Sequence, residues 1–228
     1  ENNIANSNPA SSATLGANGE STTATTTFGI RVAEIAFKHK SIGTFTLGQG
    51  NAASVDRVAV DLSGSNLGLT AAAGDLAGGI NFYDKTTGAR AVTIADSFDK
   101  MDGLDKVDRI RYDLPEINGF SGAVSYIDTG GFDIGAGWAG KFGEVEVEVA
   151  GYYANNSAGS TTEKGRYGGS ISAKHSSGLS LTFASAKREA KVSGTNDATY
   201  YWGKLGYSAT LTSLGGAHFG SPTASSRT

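Results

Sequence analysis

The stretch DRIRYDLPEINGFSGAVSY, residues 108–126, decides the fold because its side chains alternate in character. Ile110 and Tyr112 alternate with Arg109 and Arg111, and after a turn at 115–119 apolar and small residues alternate again. A period of two places successive side chains on opposite faces of a β-strand. Burying unpaired charges is very unfavourable, so the face that carries the arginines must contact water.

The same alternation recurs on both sides of this stretch, in segments of about 8 to 11 residues. Tight turns at 41–43, 115–119, 142–143 and 176–178 take turns with long polar connections at 51–106, 154–165 and 188–198. Short turns at one rim and long loops at the other are typical of outer-membrane barrels. The sequence therefore predicts an all-β protein, a transmembrane antiparallel β-barrel of which about nine or ten strands are present.

The composition excludes several other classes of protein. The chain has 33 glycines, 3 prolines and no cysteine, which disfavours long helices and excludes disulfide frameworks and cysteine-based zinc sites. A net charge of -3 with both signs interspersed gives no basic stripe, so we expect no nucleic-acid partner. No run approaches the roughly 18 apolar residues of a transmembrane helix, which excludes a helical membrane protein.

The ends of the chain differ from its middle. Residues 1–26 are polar and without period, which predicts a flexible loop, and they do not have the pattern of a signal peptide. Residues 27–220 are predicted to form a partial barrel with one long connection at 51–106, and residues 221–228 an unstructured tail. Either a signal peptide has been removed or the chain begins within a longer protein.

Several motifs resemble those of Gram-negative general-diffusion porins. The resemblance is carried by SIGTFTLGQG at 41–50, DRIRYDLPEINGFSGAVSY at 108–126, and YGGSISAKHSSGLSLTFA and YYWGKLGY further along. It covers most of residues 27–219. It implies a homotrimer of sixteen-stranded barrels in the outer membrane, surrounded by lipid and lipopolysaccharide, with a third loop folded into each lumen.

The chain also departs from this family pattern. Porins of this kind begin with a strand and end with a strand that closes on a terminal aromatic residue, whereas this chain opens in a loop and ends in SPTASSRT. We therefore expect strands to be missing, and an open sheet edge in lipid is prohibitive, so this segment alone should not form a pore. Gln49 stands where the family often has an arginine.

The long connection supplies the acidic site candidates. The resemblance implies that residues 51–106 fold into the barrel and present carboxylates at a constriction. The candidates are Asp96, Asp99, Asp102 and Asp105. The alternative is an ordinary surface loop whose acids are solvated.

Basic residues on the polar strand faces are the candidates for the opposite wall. Carboxylates facing cations across a narrow waist create a transverse field that sets weak ion selectivity. The candidates are Arg109, Arg111, Lys38, Lys174, Lys204 and Arg31. Simple wetting of the lumen is the alternative role. Alternation places Arg31 on the apolar face, so a role in the pore requires a bulge there.

Other constellations have less support. Glu144, Glu146 and Glu148 could form a carboxylate pair for glycoside hydrolysis, but a solvated lumen face is the better interpretation. The G-x-G-x-x-G at 135–140 lies within a strand and is interpreted as chance. The three histidines lie far apart, so no metal site, no cofactor and no catalytic residue is predicted.

The sequence thus favours a non-enzymatic outer-membrane porin that allows passive diffusion of small hydrophilic solutes and ions through a water-filled channel. Two alternatives remain open: a substrate-specific outer-membrane channel, and a secreted or surface β-rich adhesin. The adhesin is suggested by the Gly, Ser, Thr and Asn content, but the fixed repeat of a solenoid is absent.

Overall fold

The structure is a computed structural model, and it describes residues 2–5, 27–65, 78–212 and 215–227. Nearly all of its regular structure is β-strand. In chain order the elements are β1 (Asn2–Ala5), β2 (Thr27–Ile30), β3 (Ala33–His39), β4 (Gly43–Asn51), β5 (Asn81–Tyr83), β6 (Arg90–Thr93), α1 (Ile94–Ser97), β7 (Lys106–Asp113), β8 (Phe120–Ile127), β9 (Phe132–Phe142), β10 (Val145–Asn155), β11 (Glu163–His175), β12 (Leu179–Ala190), β13 (Ala198–Thr212) and β14 (Gly215–Arg227).

Ten of these strands form one antiparallel sheet in the order β14-β13-β12-β11-β10-β9-β8-β7-β4-β3. Each strand pairs with its neighbour in sequence, except that β7 follows β4 after the long connection. The pairing is regular; Val145 to Asn155 of β10, for example, is opposed residue by residue on both sides. The predicted all-β architecture with nine or ten strands is confirmed, and the sheet as described is open, with β3 and β14 at its edges.

In this sheet the exposed face is apolar and the covered face carries polar side chains, which is the reverse of the arrangement in a soluble protein. On the outer face, large apolar side chains are exposed, among them Ile134 at 51% and Phe183 at 50%. On the inner face, polar side chains are buried: Asp133 is 0% exposed and Thr182 is 1% exposed. Exposed apolar area on this scale indicates contact with something other than water. The strands therefore separate an apolar surrounding from a polar interior.

Connections at the two ends of the sheet differ in length, as the sequence predicts. One end has the turns at 40–42, 114–119, 143–144 and 176–178, and the other has the connections at 52–105, 128–131, 156–162 and 191–197. Aromatic side chains gather near the short-turn end, where Trp138 lies 6.2 Å from Phe120 and 5.3 Å from Phe142 between ring centroids. Such aromatic clusters are typical of a membrane interface.

Two predictions about the chain ends are corrected. Residues 221–227 are not an unstructured tail: they belong to β14 and pair with β13. That segment has no apolar alternation, so the sequence pattern did not reveal the strand. Asn2–Ala5 form β1, which pairs with β2, while residues 6–26 of the predicted flexible loop lie outside the described part.

The long connection also contains regular structure that the sequence pattern did not predict. β5 and β6 form a small hairpin of their own sheet, and α1 follows it directly. Thr93 caps α1: its hydroxyl accepts from the Asp96 N–H, and the Asp96 carboxylate accepts from the Thr93 N–H in return. Over the described residues, no helix is long and apolar enough to cross a membrane.

Candidate pore-lining site

The connection at 52–105 begins with an anchor on the inner face of β8 and β9. Asp133 accepts hydrogen bonds from the Ser54 N–H at 2.8 Å, from the Ser54 hydroxyl, and from the Ser125 hydroxyl at 2.6 Å. Ser125 in turn accepts from the Ala53 N–H at 2.7 Å. Because Asp133 is fully buried, these donors stabilise a carboxylate that would otherwise be unfavourable there. They fix the first turn of the connection to the wall.

The connection then runs across β11 and β12, where it is held by hydroxyl groups. Ser170 Oγ accepts from the Val60 N–H at 3.1 Å, and Ser172 Oγ accepts from the Leu62 N–H at 2.9 Å. Ser170 also donates to the Arg57 carbonyl at 2.9 Å. Small hydroxyl residues on the inner strand face thus satisfy the backbone of a segment that forms no ladder of its own.

A buried ion pair holds the same segment to β13. Lys204 Nζ lies 2.6 Å from Asp61 Oδ2 and 3.3 Å from the Ser65 carbonyl. The Lys204 side chain is 0% exposed and that of Asp61 is 5% exposed. Thr182 adds a hydrogen bond to Asp61 at 3.3 Å. At such burial each charge depends on the other, because an unpaired charge would remain desolvated.

The returning half of the connection is tied to the first half and to the wall. Asp102 accepts from the Asp56 N–H at 2.8 Å and the Val58 N–H at 3.1 Å. Arg166 of β11 donates to the Gly103 carbonyl at 2.9 Å, and the Tyr152 hydroxyl donates to the Met101 carbonyl. Residues 52–65 and 98–105, called the anchored arms below, therefore lie as one layer on the inner face.

Apolar contacts beneath the anchored arms are a feature that the sequence pattern did not indicate. Val58, 0% exposed, and Met101 belong to one buried cluster with Tyr152, Tyr200 and Trp202 of the wall. These aromatic residues occupy strand positions that alternation assigns to the polar interior. The signal available in the sequence was the pairing of aromatic residues on both faces at 152–153 and 200–202.

The four predicted acidic residues lie in different surroundings. Asp99, Asp102 and Asp105 line a polar cavity of about 600 Å³ beside the arms, together with Arg31 and Arg166. Asp102 is used by the backbone contacts described above, and Asp105 is exposed, 3.6 Å from Lys106. Asp96 does not line this cavity. Hydrogen bonds from Thr93 lower the pKa of its carboxyl, consistent with a capping role.

The predicted basic residues lie on the inner face, but several are already engaged. Arg109 is buried, with its Nη2 2.5 Å from Glu34 Oε2, its Nη1 2.6 Å from the Gly48 carbonyl and its Nε 3.0 Å from the Asn51 carbonyl. Arg111 binds Asp113 at 2.6 Å and donates to the Ala52 carbonyl at 2.9 Å. With Lys204 paired to Asp61, these cations hold both ends of residues 52–65, the first part of the connection.

Three other basic candidates are less enclosed. Residues 31–32 interrupt the strand between β2 and β3, which frees Arg31 from the alternation, and it lines the polar cavity. Lys38 is exposed on β3 and lines a second polar recess of about 610 Å³ with Arg111. Lys174 stands directly across from Glu146 in the pairing of β10 with β11.

The three predicted lumen glutamates are not equivalent. Glu146 and Glu148 occupy inner-face positions of β10, and Lys141 and Lys174 are the cross-strand partners of Glu146. Glu144 instead belongs to the turn at 143–144, where its Oε2 lies 3.2 Å from His175 Nε2. Because Glu144 lies in the turn before β10, its role as a lumen carboxylate stays a prediction.

Packing against the connection explains the first two glycines of the apparent G-x-G-x-x-G, Gly135 and Gly137. A Cβ at Gly135 would lie 2.2 Å from the Ala53 carbonyl oxygen and 2.8 Å from Arg57 Nε, and one at Gly137 would lie 3.3 Å from Arg57 Nη1. Glycine at these strand positions permits the close approach of the connection. Arg57 was not among the predicted site residues. Burial and the neighbouring Arg111 lower its pKa from the usual value.

Comparison with known protein families identifies the class of protein. A family described as Gram-negative porin matches residues 8–220. The chain belongs to the Gram-negative porins. No curated protein matches the sequence. Membership in this porin family places the protein in the outer membrane, with the exposed apolar face of the sheet towards lipid, and the family is one of channels rather than of enzymes.

Proposed function

We propose that this porin allows passive diffusion of small hydrophilic solutes and ions, and that its anchored arms narrow the channel. The observation that carries the proposal is the set of contacts between the arms and seven consecutive wall strands, β7 to β13. A layer held by buried hydrogen bonds and an ion pair reduces the open cross-section without depending on a flexible loop. Size selection follows from that geometry.

The charges beside the arms support a weak ion preference. Asp99 and Asp105 share the 600 Å³ cavity with Arg31, Lys100 and Arg166. Opposite charges across a polar passage orient dipolar solutes and favour one sign of ion over the other. We propose that Asp99 and Asp105 supply the acidic side of this field, while Asp96 stabilises α1 and contributes little to it.

Function in the membrane further requires a closed wall. Backbone groups at an open sheet edge have no partners in lipid, so we propose that β3 and β14 are joined by further strands in the complete pore. We also propose a homotrimer surrounded by lipid and lipopolysaccharide, in keeping with the family. The apolar outer face offers the surface for both contacts.

Single-channel recording on the full-length protein in planar bilayers tests the diffusion proposal. We expect discrete conductance steps, and in liposome swelling an entry rate that falls with the size of neutral sugars. The double substitution Asp99→Asn, Asp105→Asn should shift the reversal potential towards anions, whereas the control Asp128→Asn, in the separate connection at 128–131, should not. A full-length protein that inserts but never conducts would disprove the proposal.

A further inference from the structure

An apolar groove of about 420 Å³ lies on the outer face of the sheet, over β7, β8 and β9. Gly122 and Ala136, which are cross-strand partners on β8 and β9, form its floor. A Cβ at Gly122 would lie 2.8 Å from Leu114 Cδ1, so a larger residue there would fill the groove. The side chains that border the groove are large and apolar, among them Tyr112, Leu114, Ile117, Phe120, Val124 and Ile134.

Backbone hydrogen bonds fix the borders of this groove. Ile117 and Phe120 exchange two of them, at 2.9 and 3.0 Å. Between these residues, Asn118 and Gly119 both have positive φ, at 51° and 81°, as in a tight two-residue hairpin turn. The Tyr112 hydroxyl donates to a backbone carbonyl of the neighbouring turn at 40–42. The groove is therefore formed before anything binds in it, which lowers the cost of binding.

The position of the groove matches the path of a lipid chain through one leaflet. The groove begins beside the turn at 114–119 and follows β8 from Phe120 to Val124. Four residues of a strand cover about 13 Å, and the hydrocarbon layer of one leaflet is about 15 Å deep. Phe120 also belongs to the aromatic cluster with Trp138 at the membrane interface. The groove thus extends from the level of the headgroups into the hydrocarbon.

The surroundings of the outer face indicate what fills the groove. Membership in the porin family places this face towards lipid, and the groove is continuous with that surface. A void against the wall would forfeit dispersion contacts, and an apolar recess does not hold water. Short turns of outer-membrane barrels lie on the periplasmic side. The lipid of that leaflet is phospholipid, whereas lipopolysaccharide occupies the other leaflet.

We infer that this groove binds one acyl chain of a phospholipid from the periplasmic leaflet, which lies along β8 over Gly122 and Ala136. The fit between the chain and the fixed borders provides the binding energy, because a chain that leaves bulk lipid gains no hydrophobic stabilisation. The inference goes beyond the diffusion of solutes and does not depend on it.

Native mass spectrometry of the full-length protein in detergent, titrated with phosphatidylethanolamine, tests this inference by counting the lipids retained per chain. Ala136→Leu fills the floor and should raise the lipid concentration for half-occupancy by about tenfold, because roughly ten carbon–carbon contacts are lost. Gly122→Ala, a smaller change, should raise it by about threefold and serves if Ala136→Leu does not fold. Ala173→Leu makes the matched change on the outer face of β11, outside the groove, and should leave it unchanged.

The same measurement separates the other possible occupants. Equal half-occupancy in the natural protein, Ala136→Leu and Gly122→Ala overturns the inference, and so does an equal weakening by Ala173→Leu. A changed number of chains per particle in Ala136→Leu, with phospholipid retention unaltered, would also overturn it, because the groove would then contact a second copy. Weakened retention of lipopolysaccharide alone would contradict the periplasmic assignment. Replacing the ethanolamine headgroup by glycerol should leave the half-occupancy unchanged, as expected for recognition of the chain. None of these readouts requires conduction.

Discussion

The anchored arms and the β5–β6 hairpin belong to the same connection but are stabilised in different ways. The arms use the wall: Asp133, Ser170, Ser172, Arg166 and Lys204 all bind them from the sheet. The hairpin with α1 uses mainly its own residues, such as the Asp84 carboxylate, which accepts from two threonine N–H groups, and the Thr93 cap. The position of the arms is therefore determined by side chains of the wall, whereas the hairpin is stabilised largely by its own residues.

Breaking the buried ion pair between Lys204 and Asp61 should cause the largest loss of stability, because it releases the arms from the wall. Lys204→Met removes the ammonium group that lies 2.6 Å from the buried Asp61 carboxylate, and we expect a loss of about 3 to 5 kcal/mol in the free energy of unfolding. The double variant Lys204→Met, Asp61→Leu should recover most of that loss, because both charges are gone. Guanidinium-induced unfolding in a detergent or bilayer system measures both. A double variant no more stable than the single one would show that the pair is not the determinant.

Removing Asp133, which accepts the hydrogen bonds at the start of the arms, should cause the second-largest loss of stability. Asp133→Leu leaves the Ser54 N–H, the Ser54 hydroxyl and the Ser125 hydroxyl without their acceptor, at a cost of about 3 kcal/mol. The same denaturation experiment measures it, with proteolysis of residues 52–65 as a local readout. Asp197→Leu serves as a control, because that exposed acid binds Lys187 at the far rim and does not touch the arms. Equal losses in both variants would contradict a special role for Asp133.

Adding a single methyl group beneath the arms should have an intermediate effect. In Gly135→Ala the new Cβ would meet the Ala53 carbonyl oxygen at 2.2 Å, a backbone atom that cannot move alone. We expect about 1 to 3 kcal/mol of destabilisation from overpacking, together with altered conductance as the arms shift. Gly151→Ala, where the nearest atom would lie at 3.5 Å, is the matched control on the next strand. Unchanged conductance in Gly135→Ala would show that the arms tolerate displacement.

The sequence predicted the wall much better than the connection, and the reason is physical. Alternation reports which face contacts lipid and which contacts a polar interior, so the strands around Ile110 and Ile134 were found. Alternation gives no information about which segments pack on the polar face. Arg109, Arg111 and Lys204 were therefore predicted as solvent-facing wall charges, although acids neutralise them. Glu34 and Asp61 come from distant segments, and Asp113 lies on the same strand as Arg111.

Arg57 and β14 were missed for related reasons. Arg57 lies in a segment without a period, and only the glycines of β9 hinted that something packs there. β14 is rich in glycine and serine, so its pairing with β13 depends on backbone groups rather than on an apolar pattern. Backbone pairing leaves no signature in side-chain alternation.

Protonation of Asp96 should cause the smallest change in stability. It tests whether the hairpin is stabilised by its own residues. Hydrogen bonds from Thr93 lower the folded-state pKa of Asp96. The cap therefore contributes stability above the unfolded pKa of about 3.9, and the contribution is lost as the pH falls through the still lower folded value. Thr93→Val should bring the Asp96 pKa, followed by carboxyl NMR shifts, back towards its ordinary value. Because the arms are held from the wall, the same substitution should leave the conductance of the pore unchanged at neutral pH; a changed conductance would mean that the hairpin also positions the arms.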